Sequence, residues 1–326
     1  MRVSFYGKTD VGVIRNKNED YFNAVNLPDG SYVFVVADGL GGHLAGEVAS
    51  RTAVTNLIEM MKEGMGGDPI TFFRESLEKI NREIEKIGNS EPDKKGMGTT
   101  LSLLYIKDNK GYIAHVGDSR IYKISHGKIF QLTEDHSFVE KLVADGLITE
   151  EEARHHPRKN VLLQMIGMKK EVNPQIIGPF PIEEGDKFLL CTDGLSNLVS
   201  DFEMKEILGR LPIQEAVDYL IDLAKKRGGP DNITAIGVSF GRELVLVDEE
   251  STPVELYVDD TKEQEPPGLG SGEKRRNFLL WVAIIILTLF LIGLGYYIFH
   301  NMQKENPKET GVKPPGNFVA TLGERG

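Results

Sequence analysis

Cysteine occurs once in the 326 residues, at Cys191, so no internal disulfide staples the chain and it suits a reducing compartment. Cys191 lies inside the apolar run KFLLCT (187–192) and reads as a small buried hydrophobe. A thiol nucleophile for phosphate chemistry would want an arginine six positions on, where Asn197 stands. Basic residues are in the minority, 38 Lys and Arg against 49 Asp and Glu, for a net charge of −11. With no basic stripe to neutralise a phosphate backbone, nucleic acid is excluded as a partner. A P-loop pattern and an HExxH helix are both missing. The opening MRVSFYGKTD carries no apolar core of a signal peptide, and no internal repeat is found.

What is present centres on VFVVADGLGGHLAGEVAS (33–50). A β-branched apolar run stops at Asp38-Gly39, crosses Gly41 and Gly42, and restarts as a small-residue helical pattern at Ala45. That pattern delivers a carboxylate to the tip of a buried strand. One Asp-Gly pair alone would be an ordinary turn with an N-capping aspartate. The device recurs: YIAHV (112–116) runs into Gly117-Asp118, KFLLCT into Asp193-Gly194, and Gly229-Pro230-Asp231-Asn232 precedes ITAIGVSF (233–240). If those strands share one body with their ends at one rim, the carboxylates converge, which costs several kcal/mol unless a cation compensates.

The order of elements predicts α+β: grouped strands and grouped helices, arranged as a sandwich of two antiparallel β-sheets flanked by helices. Helices are expected over 45–62 and 70–87, with Val48, Thr52, Leu57 and Met61, then Phe73, Leu77, Ile80 and Ile84, as core stripes. Short strands with tight turns follow at 99–106, 112–116, 120–124 and 128–133. Helical spacing is expected across 136–167, strands at 175–180 and 187–192, helices at 202–210 and 213–227, and a last strand at 233–240. His155 and His156 flank Pro157 and read as loop residues, since neighbours cannot face one metal together. Residues 1–241 thus form one catalytic-sized domain. Residues 242–277 form an acidic, flexible linker, with an apolar patch at 244–247 that would add an edge strand, and 300–326 a disordered tail.

Residues 278–299 contain no charge across 22 positions, enough at 1.5 Å per residue to cross a hydrocarbon core of about 30 Å. Lys274, Arg275 and Arg276 precede this run, whereas only His300 and Lys304 follow closely. That asymmetry places the first 277 residues in the cytoplasm and the tail outside, with one C-terminal transmembrane helix anchoring the protein in the cell membrane.

Carboxylates with a backbone carbonyl at Asp-Gly, and no histidine or cysteine cluster nearby, favour Mg²⁺ or Mn²⁺ over Zn²⁺. Two such ions about 3.5–4 Å apart can share a carboxylate and a water for in-line attack on a phosphoryl group. Asp38 is the natural bridge, with the Gly39 carbonyl beside it and Asp193 and Asp231 completing the second ion. Arg15, in the polar loop VGVIRNKNEDYFNAV, is the candidate phosphate-binding arginine.

Seven ordered motifs then carry a resemblance: RNKNED (15–20), VVADGLGGHLAGEVAS (35–50), GMGTTL (96–101), HVGDSR (115–120), LTEDHS (132–137), CTDGLSN (191–197) and GGPDNIT (228–234). Together they are similar to the bacterial branch of the metal-dependent protein serine/threonine phosphatases, type 2C, over residues 3–240. The resemblance implies a two-sheet sandwich, two Mn²⁺ or Mg²⁺ ions, and hydrolysis of phosphoserine and phosphothreonine by metal-activated water without a phosphoenzyme. It implies that Asp38 bridges the ions, Gly39 gives its carbonyl to one, and Asp193 and Asp231 bind the other. It further implies a weaker third ion at Asp118, phosphate binding by Arg15, and completion of the metal shell by Glu19 and Asp20, partly through water. The segment 136–167 resembles the family's variable flap, which influences substrate choice. Eukaryotic members carry a histidine directly after the Asp-Gly as general acid. Here that position is Leu40 and the nearest histidine is His43, so the proton donor is either His43 or a metal-bound water. The implied partners are phosphorylated proteins, a transmembrane serine/threonine kinase and its substrates among them. A phosphatase-like binding module and a small-molecule phosphohydrolase are the competing readings. The full set of aspartates argues against the first, and phosphopeptide competition separates the second.

Overall fold

The protein is described here from a computed structural model covering residues 2–42, 44–168 and 171–241. His43, the expected edge strand at 244–247, the linker, the expected membrane span at 278–299 and the tail lie outside the described residues. Among the described residues no helix is long and apolar enough to cross a membrane.

Two five-stranded sheets form the centre. The first runs β1 (Val3–Asp10), β12 (Ile233–Phe240), β11 (Lys187–Cys191), β8 (Arg120–Ser125), β9 (Lys128–Gln131). The second runs β10 (Gln175–Pro181), β7 (Lys110–Val116), β6 (Leu101–Lys107), β3 (Tyr32–Ala37), β2 (Tyr21–Asn26). Every pairing within them is antiparallel. A two-residue ladder joins β4 (Gly39–Leu40) to β5 (Gly98–Thr99), an element too short for any periodicity to reveal.

The strand β3 shows why the sandwich forms. Its side chains alternate between faces: Phe34 and Val36 pack into the layer between the sheets with Leu104, Ile113, Phe188, Leu190 and Ile236. Val33, Val35 and Ala37 face the other way, toward α1 (Ala45–Glu63) and α2 (Pro69–Ser90). Both faces are fully buried, so the run is apolar throughout rather than alternating. On the outer face of the first sheet lie α6 (Asp201–Arg210) and α7 (Ile213–Lys226), with Gly237 of β12 leaving room for Ile213 and Val217. The order of layers is helix, sheet, sheet, helix, as the sequence predicts.

Local chemistry sets the helix ends. Asp68 caps α2 by accepting from the Thr71 backbone N–H at 3.1 Å, ahead of Pro69. Ser200 and Glu203 form a capping box on α6, and Glu203 also accepts from Arg227 at 2.6 and 2.9 Å, tying α6 to the end of α7.

Two expectations are corrected. The buried stripe of α1 is not Val48 and Thr52, which are only half-buried, but Ala45, Ala49 and Ala53 with Val54, Leu57, Ile58 and Met61. Alanines let the helix approach the sheet closely, and an alanine stripe carries a weak hydrophobic signal. Residues 136–167 do not form a continuous helix. They hold only α3 (Phe138–Ala144) and α4 (Glu150–Arg154), separated by Gly146 at φ +68° and capped by Ser137 and Thr149. After Pro157 the chain returns extended, bridging Ser137 to Leu162 and Thr99 to Ile166.

Because Leu104 is fully buried between the sheets, Leu104→Ala is expected to destabilise the fold by about 2–5 kcal/mol. Urea denaturation followed by circular dichroism measures this, and an effect under about 1 kcal/mol would contradict the packing described.

Candidate metal centre

Strand register brings the acidic residues to one rim. Tyr21 pairs with Ala37, which sets Asp20 beside Asp38 at the end of the second sheet. Cys191 pairs with Ala235, so Asp193, just past β11, lies near Asp231, just before β12, at the end of the first sheet. Asp118 stands in the turn that carries the chain from β7 in one sheet to β8 in the other. Two threonines tie the sheets together at this edge. Asp20 Oδ2 accepts from Thr192 Oγ1 at 2.8 Å and Thr234 Oγ1 at 2.6 Å.

The backbone at Asp38 is held just as firmly. Its N–H donates to Thr100 Oγ1 at 2.8 Å, its carbonyl accepts from Thr99 Oγ1 and the Thr100 N–H, both at 2.9 Å, and Thr100 Oγ1 meets Ser119 Oγ at 2.7 Å. Gly39 then has no alternative, because a Cβ there would collide with the backbone carbonyls of Gly46 and Glu19. Its own carbonyl lies beside Gly46 in the first turn of α1.

The electrostatics follow from burial and crowding. Burial pushes the Asp38 carboxyl well above the usual range, and the charges of Asp20, Asp193, Asp118 and Asp231 push it further. Asp20 is raised to about 7, by burial first and then by Asp193 and Asp231, against the lowering by its two threonines. Asp193 is raised to about 6 by burial and by Asp231, and Asp118 well above its ordinary value by burial, Asp193 and Asp135. Two buried oxygens, Asp20 Oδ1 and Asp193 Oδ1, have no hydrogen-bond donor.

Cationic relief from side chains is small. Arg15 stands half-exposed at the mouth, 2.9 Å from Asp231 Oδ2. Burial works against its charge, and attraction to Asp231, Glu19 and Asp38 outweighs that. Arg120 is already committed, its fork on Asp135 at 2.7–3.1 Å and its other nitrogen on Tyr122 Oη at 3.0 Å.

The sequence expectations thus meet in space for Asp20, Asp38, Gly39, Asp118, Asp193, Asp231 and Arg15. Glu19 contributes differently: its backbone carbonyl accepts from the Gly39 N–H and Ser50 Oγ, and its carboxylate lies against Gly46. The supporting polar groups Thr100, Ser119, Thr192, Thr234 and Asn232 were not singled out in the sequence, although each lies inside or beside a quoted motif. Their signal is a buried polar residue within an apolar strand end, which must find a partner. Beside Asp118 and Asp193 opens a cavity of about 720 Å³, walled by α3 and α4 on one side and the start of α6 on the other.

Among the described residues no three acidic, histidine or cysteine side chains close round a single point. Five carboxylates crowded at one rim, two of them with an unpartnered buried oxygen, form an all-oxygen donor set that fits hard divalent ions keeping several waters of their own.

The protein phosphatase 2C family model matches residues 15–233. The chain belongs to that family. It is 42% identical over 236 residues to the serine/threonine phosphatase stp of Listeria monocytogenes, covering 70% of this chain and 92% of that one. The serine/threonine phosphatase of S. agalactiae superposes with a TM-score of 0.70 at 37% identity, covering 73% of this chain and all of that one. The catalytic domain of the serine/threonine protein phosphatase PstP, solved in complex with two manganese ions, superposes at 0.66 with 34% identity, covering 74% and 99%. This member of the phosphatase family is thus an enzyme by class, and its rim of aspartates lies within the matched residues.

The raised carboxyls make the metal-free chain pH-sensitive with a definite sign. Asp20 and Asp193 bind protons more tightly folded than unfolded, where a carboxyl sits near 3.9. Their contribution is full below about pH 4 and is lost as pH rises through about 6 to 7. With a chelator, the unfolding temperature of the full-length chain is expected to fall between pH 5 and pH 7.5. Excess Mn²⁺ should abolish that fall, since a ligand of the native state stabilises it. Asp193→Asn should weaken both effects, and a pH-independent chelated protein would contradict the electrostatics.

Proposed function

We propose that this chain is a metal-dependent protein serine/threonine phosphatase that hydrolyses phosphoserine and phosphothreonine at the cytoplasmic face of the membrane. The observation that carries the reading is the convergence of Asp38, Asp193 and Asp231 from distant parts of the sequence onto one half-buried rim beside an arginine. Family membership supplies the reaction class.

Asp38, the Gly39 carbonyl, Asp193 and Asp231 would hold two Mn²⁺ or Mg²⁺ ions, with Asp20 and Glu19 as further oxygen donors. Asp118 would hold a weaker third ion. Bound there, the ions supply Lewis acidity and a water acidified enough to act as nucleophile at neutral pH. The chain's own part is placement. Arg15, half-exposed and forked, is oriented by Asp231 at the mouth, where it can grip two phosphoryl oxygens and present phosphorus to the rim. The threonine hydroxyls hold the Asp38 backbone and the Asp20 carboxylate in place, so little reorganisation is needed when substrate arrives. The adjacent cavity gives a protein segment room to lie beside its phosphorylated residue.

Membrane attachment rests on the uncharged run at 278–299 and the basic residues ahead of it. A substrate held at the same face, a transmembrane serine/threonine kinase and its targets, follows from that placement.

Three measurements test these statements. The full-length protein should hydrolyse a phosphothreonine peptide with Mn²⁺ and lose activity with chelator. Asp38→Asn or Asp231→Asn should lower kcat/KM by at least about 100-fold, whereas Arg15→Ala should act mainly by raising KM. Activity unaffected by chelator, or a small phosphomonoester strongly preferred over phosphopeptides, would overturn the proposal. In cell fractionation the full-length chain should resist carbonate extraction and a chain lacking 278–299 should not; release of both would remove the membrane assignment.

A further inference from the structure

The loop that carries Arg15 lies between the end of β1 at Asp10 and the start of β2 at Tyr21 and has no regular structure. Ordering each residue of such a loop costs about 1–2 kcal/mol. Apolar burial does not supply that order, because Val13 and Ile14, its hydrophobic residues next to Arg15, are 60% and 68% exposed. Something polar must hold it.

The Val13 N–H donates to the Gly229 carbonyl at 2.8 Å and Asn18 Nδ2 to Thr9 Oγ1 at 2.8 Å, and one further side chain spans the loop from end to end. Asn232, only 4% exposed, projects its amide into the loop. Its Nδ2 donates to the Val11 carbonyl at 2.9 Å and to the Lys17 carbonyl at 2.8 Å, and its Oδ1 accepts from the Glu19 N–H at 2.8 Å. The partners leave no ambiguity of amide orientation: two carbonyls face the nitrogen and an N–H faces the oxygen. Both ends of the Arg15 segment are therefore pinned to one residue.

That residue also belongs to the site. The Asn232 backbone N–H donates to Asp231 Oδ1 at 2.9 Å, while Asp231 Oδ2 pairs with Arg15 at 2.9 Å. The result is a closed circuit: Asn232 to Asp231, Asp231 to Arg15, and the Arg15 loop back to the Asn232 amide. Gly12 completes the close fit, because at φ +81° a Cβ there would strike the carbonyl of Asp231.

We infer that Asn232 is a positioning residue for Arg15: its amide fixes the loop so that the guanidinium is preorganised over the rim. The inference rests on the phosphatase reading and on Arg15 as its phosphate ligand. Preorganisation matters most where a long side chain must meet two oxygens at once, since a loop free to shift by an ångström forfeits the bidentate geometry. Asn232 touches no substrate in this account, and its two amide donors act on phosphate through the Arg15 loop.

The test uses the full-length chain with Mn²⁺ and inorganic phosphate as the probe. Inhibition constants for phosphate, KM for a phosphothreonine peptide, the Mn²⁺ concentration for half-maximal activity and the unfolding temperature are measured for wild type, Asn232→Ala, Asn232→Asp, Arg15→Ala and the Ala double variant. Asn232→Asp keeps the volume and the bond to Glu19, replaces the two donors with a carboxylate oxygen and adds a negative charge, so if Asn232→Ala fails to fold it serves together with an Arg15→Ala/Asn232→Asp double variant, in which an effect of charge alone would persist in full. Both are expected to weaken phosphate on the order of tenfold, the effect of losing two buried hydrogen bonds. In Asn232→Ala the Mn²⁺ requirement should move less than about threefold. In the Arg15→Ala background, Asn232→Ala should add less than about threefold, because residues acting as a unit are non-additive. The inference is overturned if phosphate binding is unchanged while only the unfolding temperature falls, or if the two factors multiply in full. A wild type without activity, or an Arg15→Ala variant that binds phosphate normally, would instead sink the reading underneath it.

Discussion

Like charge gathered out of water is the constraint around which this protein is built. Asp20, Asp38, Asp118, Asp193 and Asp231 are pressed together at one edge of the sandwich, and burial and mutual repulsion raise the first four of the carboxyls that surround the space. Among the described residues, Arg15 and Arg120 relieve that repulsion only in part. Arg15 reaches only the outer member, and Arg120 is spent on Asp135 and Tyr122. Such an arrangement is unfavourable by itself and is relieved when divalent cations occupy it.

The fold can bear that cost because its two sheets are rigid and tied to each other at the same edge. The antiparallel register of β2 on β3 and of β11 on β12 fixes which residues stand at the rim to within one position. A slip of one residue would turn every side chain to the opposite face and dismantle the interlayer core together with the site. Thr192 and Thr234 from one sheet grip Asp20 from the other, so the edge is stitched by short, buried hydrogen bonds rather than by the core alone. Access, by contrast, comes from irregular segments. The loop carrying Arg15 stands at the mouth of the rim, and α3 with α4 wall one side of the adjacent cavity, a division in which strands hold charge and loops frame the entrance.

Much of this was legible in the residues. Four apolar runs ending or beginning at an aspartate were visible as a repeated pattern, and their convergence followed once the runs were read as strands of one body. The buried β3 run and the tight turns between β6 and β7 and between β8 and β9 likewise pointed to antiparallel sheets, whereas the equally short turn from β7 to β8 crosses between the sheets and pairs nothing. What escaped was whatever depends on a distant partner. Asn232 looks like an ordinary turn residue beside Asp231 until its amide is found on Val11, Lys17 and Glu19. The α1 stripe was misplaced because alanines that permit close packing look neutral beside a valine or a methionine. The segment 136–167 has helical spacing in patches, yet glycine at 146, proline at 157 and two internal caps divide it, and its return path is fixed by bridges to Ser137 and Thr99. The small β4–β5 ladder, which positions Gly39, is too short for any pattern to betray.

The central claim, that this rim is a cation-filled pocket, is most directly tested by anomalous diffraction at the manganese edge from crystals of the protein grown with Mn²⁺. The account predicts two strong peaks about 3.5–4 Å apart, both within coordinating distance of Asp38, one of them shared with Asp193 and Asp231. Peaks lying elsewhere on the molecule, or a rim without anomalous signal at saturating Mn²⁺, would contradict it.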